Sequence, residues 1–416
     1  MRNERQKVLI DQIREQLNEL FLITDEEIRL YIEETIFEYA NEFRLSTQEK
    51  IELADSIYNS LRGYDVLQPL LDSEEITEIM INGYDRIYIE RNGEIIKTDA
   101  EFVSEERLED IIQLIVSKVN RIVNQSSPIV DARMKDGSRV NIVLPPLALN
   151  GPTMTIRKFP KEALTMDDLI LNKTISAEAA SLLKILVKSK YNIFISGGTG
   201  SGKTTFLNVL SNFIPANERI ITIEDSAELQ IKKIENLVRL EMRNANIEGR
   251  GEITISDLIR ASLRMRPDRI VVGEVRGHEA IDMLQAMNTG HDGSISTGHG
   301  NSAADMLSRL EVMVLRGSNI PMMAIRKQIV SAIDVIIHLA KLRDNSRRVI
   351  EINEIIGLAG DEIVLNPLYR FTETASEEQN QIVGSLCSTG NALRHTEKLK
   401  LAGVGLPAEM GGSLCG

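Results

Sequence analysis

The chain has 416 residues, of which 43% are hydrophobic and 26% charged, and its formal net charge is −13. That length exceeds what one compact core holds and predicts about two or three domains. The acidic balance argues against a surface built to coat nucleic acid, and no uninterrupted apolar run approaches the roughly 20 residues of a membrane span.

The first residues, Met1–Lys7, lead into an acidic amphipathic segment without a signal-peptide core. Residues 1–62 read as a helical extension. Within it Ser46-Thr47-Gln48-Glu49 is a capping box, and Ile51, Ala54, Ile57 and Leu61 follow at helical spacing. Residues 63–158 change pattern. Ile76–Ile81 and Arg86–Glu90 read as strands, and Arg91-Asn92-Gly93 turns the second into Glu94–Lys97. Leu108, Ile111, Ile112, Ile115, Val119 and Ile122 predict one apolar helix face. Asp136-Gly137 marks a hairpin between Asp131–Met134 and Arg139–Val143, and Thr153–Arg157 is a further strand. This is an α+β domain.

Residues 159–176, with Pro160, suit a linker. Over residues 177–370 strands and helices alternate. The strands are 191–196, Arg219–Glu224, Leu237–Met242, Arg269–Gly273 and Gly293–Thr297, followed by β additions at Asp334–Lys341, Arg348–Gly357 and Glu362–Leu368. Several are nearly all apolar, as parallel strands covered on both faces are, so the fold class is α/β. Residues 371–416 read as a polar, then glycine-rich, partly ordered tail. The two cysteines, Cys387 and Cys415, suggest no disulfide framework and no metal site, so a cytoplasmic, reducing location is expected.

The most informative segment is Gly197-Gly198-Thr199-Gly200-Ser201-Gly202-Lys203-Thr204, a complete G-x-x-x-x-G-K-[ST] phosphate loop between a predicted strand and a helix opening at Thr205. Its glycines let backbone N–H groups surround phosphate oxygens. Lys203 reaches the β/γ-phosphates, and Thr204 offers a hydroxyl to Mg²⁺. The chain therefore binds a nucleoside triphosphate. Phosphoryl transfer is mostly positioning and charge stabilisation, so the rest of the site should supply carboxylates and cations.

Ile270–Glu274 is an apolar strand ending in a carboxylate, and Ile220–Asp225 repeats that pattern. Glu274 is the candidate base for the attacking water, directly or through Mg²⁺. Glu224 and Asp225 are candidates beside the metal, with loop capping the competing reading of Asp225. His291 and His299 are too poorly spaced for a zinc pair. They suit γ-phosphate sensing or water orientation, against a purely structural hydrogen bond for each. Arg264, Arg266, Arg269 and Arg276 surround the Glu274 strand, while Arg133, Arg139 and Arg157 end the first domain. Such arginines are salt bridges by default, yet one phosphate contact is expected of the set.

Four segments together resemble the Walker A, Asp, Walker B and His boxes of the type II/type IV secretion ATPases: Gly197–Thr205, Ile221–Leu229, Leu263–Gly277 and Met287–Ser294. Asp131-Ala132-Arg133 with Asp136–Asn141 resembles that family's N-terminal signature, and the branch most similar is the CpaF-like ATPases of tight-adherence (Flp) pilus assembly. The resemblance implies a RecA-like P-loop core and a homo-hexameric ring with nucleotide between the N- and C-terminal domains. It also implies peripheral attachment to the cytoplasmic membrane face through a polytopic platform protein, without DNA. It assigns Gly197, Gly198, Thr199, Gly200, Ser201, Gly202, Lys203, Thr204 and Thr205 to ATP, and Thr204, Glu224 and Glu274 to Mg²⁺. Catalysis falls to Glu274, Glu224, His291, His299, Arg133, Arg139 and Arg157. Two departures stand out: there is no tetracysteine zinc site, and Gly298 precedes His299 where an apolar residue is commoner.

Overall fold

The computed structural model describes residues 24–43, 46–91, 93–119, 121–159, 163–243, 245, 250–318, 320–374 and 382–405. The chain divides into two units, Met1–Lys161 and Glu162–Gly416.

The first unit begins with helices α1 (Asp25–Phe43) and α2 (Thr47–Leu61), packed through Ile28, Ile32, Ile36, Leu53 and Ile57. The capping box starts α2: Ser46 accepts from the Glu49 N–H while Glu49 accepts from the Ser46 N–H. The earlier part of the expected helical extension, residues 1–23, lies outside the described residues. A short helix α3 (Gln68–Asp72) precedes strands β1 (Ile76–Asn82), β2 (Ile87–Arg91) and β3 (Glu94–Lys97). Helix α4 (Glu105–Lys118) and strands β4 (Ile129–Arg133), β5 (Arg139–Val143) and β6 (Thr153–Arg157) complete it. The sheet order is β3-β2-β1-β6-β5-β4, every pairing antiparallel. Leu108, Ile111, Ile112 and Ile115 share one core with Ile79, Ile81, Val140, Ile142 and Ile156. The apolar helix face stops earlier than the spacing predicts. Val119 and Arg121 both donate to the Val116 carbonyl, which tightens the chain out of the helix and leaves Ile122 exposed. At the Asp136-Gly137 hairpin Gly137 takes φ 96°, and Asp136 accepts from the Ser138 N–H.

The second unit opens with α5 (Met166–Leu171), inside the segment expected as a linker. A Thr165/Asp168 capping box starts this helix, and burial of Met166 and Leu169 anchors it to the core. Next come α6 (Ala177–Lys188), β7 (Ile193–Gly197), α7 (Lys203–Ser211), β8 (Ile220–Glu224), β9 (Leu237–Glu241), α8 (Ile255–Ser262), β10 (Arg269–Val272), α9 (Glu279–Asn288) and β11 (Ile295–His299). Helices α10 (Ala303–Gly317) and α11 (Met322–Ala332) lead to β12 (Val335–Lys341), β13 (Arg347–Ala359), β14 (Glu362–Thr374), β15 (Val383–Ser388) and α12 (Glu397–Leu401).

The nine strands form one sheet, ordered β15-β14-β13-β12-β7-β11-β10-β8-β9. From β12 to β9 all pairings are parallel, and from β12 to β15 all are antiparallel. Strands β7, β8 and β10 of the parallel block are buried on both faces, whereas the edge strand β9 is partly exposed. Ile193 and Ile195 point into one core with α6 and α7, while Phe194 points into the other with α9, α10 and α11. Because these strands are parallel, their C-terminal ends share one edge of the sheet. Strand β11 begins two residues later than predicted: Gly293 takes φ 85°, and extension starts at Ile295. The delay puts His299 in register beside Gly197.

Within the expected tail, residues 371–374 and 383–388 join the sheet, and residues 375–381 and 406–416 lie outside the described residues. β14 continues to Thr374, β15 pairs with it, and α12 is tied down by Lys398, whose Nζ lies 2.7 Å from Asp334 and 2.8 Å from Asp292. Cys387 on β15 is disulfide-bonded, contrary to expectation, and Cys415 lies outside the described residues; two cysteines carried no spacing signal for a bridge. Among the described residues no helix is long and apolar enough to cross a membrane.

Candidate active site

The phosphate loop leaves β7 at the C-terminal edge. Gly197 is required by packing, since a Cβ there would stand 2.5 Å from the Leu339 carbonyl oxygen and from Ser201 Oγ. Gly200 and Gly202 take φ 71° and 91°, which curls the backbone into a cradle. Gly202 is the N-cap of α7 and provides no side-chain cap, so the first N–H groups of the helix remain available to an anion. Lys203 is buried beneath the loop. Its Nζ donates to the carbonyls of Gly197 (3.1 Å) and Gly198 (2.9 Å) and lies 3.2 Å from His299 Nδ1. Burial pushes its pKa below the usual value, with Glu274 opposing the shift. Thr204 is half-buried, whereas Thr199 and Thr205 are exposed.

Glu274 follows β10 through Gly273. That turn is stitched on both sides: Gly273 N–H donates to the Ile223 carbonyl, and Thr297 Oγ1 donates to the Gly273 carbonyl at 2.7 Å. Glu274 Oε1 lies 2.8 Å from His299 Nε2, and Oε2 accepts from Arg276 Nη2 at 2.8 Å. Arg276 Nη1 reaches Asp225 Oδ2 at 3.2 Å. A lysine ammonium has only hydrogens to offer, so His299 Nδ1 must accept. The ring proton therefore sits on Nε2, which lies 2.8 Å from Glu274 Oε1 but outside hydrogen-bond geometry, so that carboxylate oxygen is buried without a hydrogen-bond partner. Burial lowers the His299 pKa, which keeps the ring in this neutral form. Lys203, His299, Glu274, Arg276 and Asp225 thus form one polar chain drawn from four separate segments.

Glu224 ends β8 and is 2% exposed. Its Oε2 accepts from the N–H groups of Glu228 (2.7 Å) and Leu229 (2.9 Å), tying down the loop after the strand, while Oε1 is buried without a hydrogen-bond partner. Burial raises its pKa against those two bonds. Gly273 makes room for it, since a Cβ there would stand 3.1 Å from Glu224 Cγ. Thr204, Glu224 and Glu274 are hard oxygen donors that suit Mg²⁺, and the orphaned Oε1 is an open position. Among the described residues no three or more His, Cys, Asp or Glu side chains gather into a metal cage.

Other expected residues lie elsewhere. His291 precedes the first residue of β11, so it stands at the opposite edge of the parallel block from His299; its Nδ1 is buried without a partner. A pairing of the two histidines at one site is therefore corrected: a strand separates them. Arg269 begins β10 and is fully buried, its guanidinium held by Glu218, Val187 and Gly293. It is structural, and Arg264 and Arg266 precede it on that far edge, exposed. In the first unit Arg133 pairs in register with Arg139, and Arg139 with Arg157, giving a row of three arginines across β4, β5 and β6. Arg157 also stands opposite Glu78 on β1, and Arg133 Nε donates to the Gly137 carbonyl at 3.2 Å. Sequence reasoning had Arg276 only as one of a cluster. It missed Arg347, whose Nε donates to the Gly200 carbonyl at 2.9 Å across 147 residues.

Residues 60–396 match the family model described as type II/IV secretion system protein, and the chain belongs to that family. It is 33% identical over 297 residues to the conjugal transfer protein TrbB of Rhizobium radiobacter, covering 70% of this chain and 88% of that protein. It is also 33% identical over 313 residues to the type IV secretion system protein PtlH of Bordetella pertussis, covering 69% and 92%. The crystal structure of the ATPase DotB from Legionella pneumophila shares the fold, with a TM-score of 0.51 at 22% identity, covering 68% of this chain and 78% of that one. The protein is an ATPase of this family, with a nucleotide site.

Proposed function

We propose that this chain is a hexameric motor that spends ATP to drive pilus assembly or protein secretion, in the CpaF-like, tight-adherence branch of its family. It would act at the cytoplasmic face of the membrane through a polytopic platform protein. The observation that carries the reading is the chain Lys203–His299–Glu274–Arg276, which joins a phosphate-loop lysine to a catalytic carboxylate through one neutral imidazole.

When ATP binds, Lys203 exchanges the Gly197 and Gly198 carbonyls for phosphate oxygens, and His299 loses its donor at Nδ1. Glu274, held by Arg276 on Oε2, orients the attacking water through Oε1, the oxygen without a hydrogen bond. Bound Mg²⁺ supplies charge neutralisation on the phosphates. Thr204, Glu224 and Glu274 would hold it, and Arg276 pairs with both Glu274 and Asp225. Arg133, Arg139 and Arg157 contribute positive charge to the γ-phosphate. His291 acts away from the chemistry.

The relatives' names favour a second reading. TrbB is a conjugal transfer protein, which raises a DNA-translocating ring. The net charge of −13 opposes it. The test is the Lys203→Ala variant in the native cell, compared for surface pili and secreted protein at equal protein level. Loss of either supports the motor, whereas unchanged pili and secretion refute it. Purified protein whose DNA affinity falls steeply with salt transfers support to the second reading.

A further inference from the structure

The turn between β12 and β13 stands beside the phosphate loop. β12 runs parallel to β7 with Leu339 opposite Gly197, so its last residues pass the point where the loop begins. β13 returns with Arg347 opposite Lys341. The turn is firmly built: Asp344 Oδ1 accepts from the Ser346 N–H (3.0 Å) and hydroxyl (2.6 Å), and Asn345 takes φ 62°. Strand alternation sends the next two arginines to opposite faces. Arg348 turns inward, buried, and donates to the carbonyls of Asn172 and Lys173. Arg347 turns outward across the loop. Its Nε donates to the Gly200 carbonyl at 2.9 Å, and its Cδ lies 3.4 Å from the place a Gly202 Cβ would occupy.

That position has a chemical consequence. A phosphate loop aims its N–H groups inward and leaves carbonyls facing out; Arg347 covers one of these. Its guanidinium is exposed, and Nε alone makes a hydrogen bond. Arg276, another arginine at this edge, is already shared between Glu274 and Asp225. A guanidinium is a rigid fork, so fixing Nε at the loop also fixes both Nη groups beside it.

We propose that Arg347 is a further nucleotide-binding residue: Nε anchors it to Gly200, and the free Nη edge contacts the phosphates of a nucleoside di- or triphosphate. This rests on the reading of residues 197–205 as the ATP site. It gives the antiparallel addition to the core a direct part in nucleotide binding and ties the β12–β13 turn to the phosphates.

The test is the dissociation constant of ATP and ADP for the full chain carrying Arg347→Lys, Arg347→Gln or Arg347→Ala, with the unliganded melting temperature as the folding control. Gln keeps a donor for the Gly200 carbonyl without charge, whereas Lys keeps the charge. A phosphate contact predicts roughly 10–100-fold weaker binding for Gln and Ala, the size of a charge-assisted hydrogen bond. It predicts that Lys binds at least about threefold more tightly than Gln, and that the differences shrink in high salt. Wild-type affinity in the Gln variant overturns the proposal in favour of a mere tether. Equal affinities for Lys and Gln, or wild-type affinity in all three, overturn it outright. Lys203→Ala reports separately on the loop: if that variant binds ATP like wild type, the reading of the loop itself fails.

Discussion

Replacing Glu274 by Gln separates chemistry from stability. Glu274 Oε2 accepts from Arg276 Nη2 at 2.8 Å, and Oε1 lies 2.8 Å from His299 Nε2 without a hydrogen bond. A glutamine amide has one acceptor and one donor, so its NH₂ must face one of two donors. Placed toward His299, it is satisfied only if the ring proton moves to Nδ1, which Lys203 Nζ already occupies at 3.2 Å. At most one hydrogen bond is lost, costing about 1 kcal/mol. The Arg276 side chain is 59% exposed, so losing that ion pair costs at most about 1 kcal/mol more. Together these lower the melting temperature by only a few degrees. Loss of the carboxylate that orients water costs about 10²–10⁴-fold in kcat, roughly 3–5 kcal/mol of barrier. The loop and Lys203 are untouched, so ATP binding should stay within about threefold. Phosphate release at saturating Mg-ATP, nucleotide affinity by fluorescence and a thermal melt measure the three quantities. A kcat within tenfold of wild type removes Glu274 from the chemistry and refutes the argument.

The histidines should behave differently. His299→Ala breaks the link between Lys203 and Glu274 and should cut kcat by tenfold or more. His291→Ala should leave kcat within about twofold, and equal losses in steady-state assays would contradict the strand-end assignment. Arg269→Met strands the buried Glu218 carboxylate and should destabilise the fold by about 3–5 kcal/mol in a denaturant titration; an unchanged midpoint would show the pair is dispensable. Burial also lowers the pKa of His338, whose Nδ1 lies 3.1 Å from Ser196 Oγ. Below the unfolded-state value of about 6.5 the unfolded chain takes up the proton first, so stability is full above that pH and falls as pH drops toward the folded value. His338→Gln should flatten the melting temperature between about pH 6.5 and 5.5, and an unchanged slope would assign the acid lability to other groups.

Much of the fold was legible because its signals are local. The phosphate loop is contiguous, the capping box at Ser46 spans one helical turn, and the apolar strands β7, β8 and β10 announce a sheet buried on both faces. The misses have local causes too. The positive φ at Gly293 delayed β11, and the Thr165 capping box put a helix in the expected linker. Parallel topology then decided what local pattern could not. It carried His299 to the edge that holds Lys203, Glu224 and Glu274, and left His291 and Arg269 at the other edge, although all of them lie among the same sequence boxes.

From sequence alone come the triphosphate site, its lysine and the carboxylate-ended strands, because each depends on residues adjacent along the chain. The tertiary structure decided the rest: which histidine meets Lys203, which arginine holds Glu274, which oxygen of Glu224 stays open, and that Arg347 lies on the loop from 147 residues away. Hydrogen bonds and ion pairs act over a few ångströms of space, and only the strand order and register of the folded sheet turn distance along the chain into proximity.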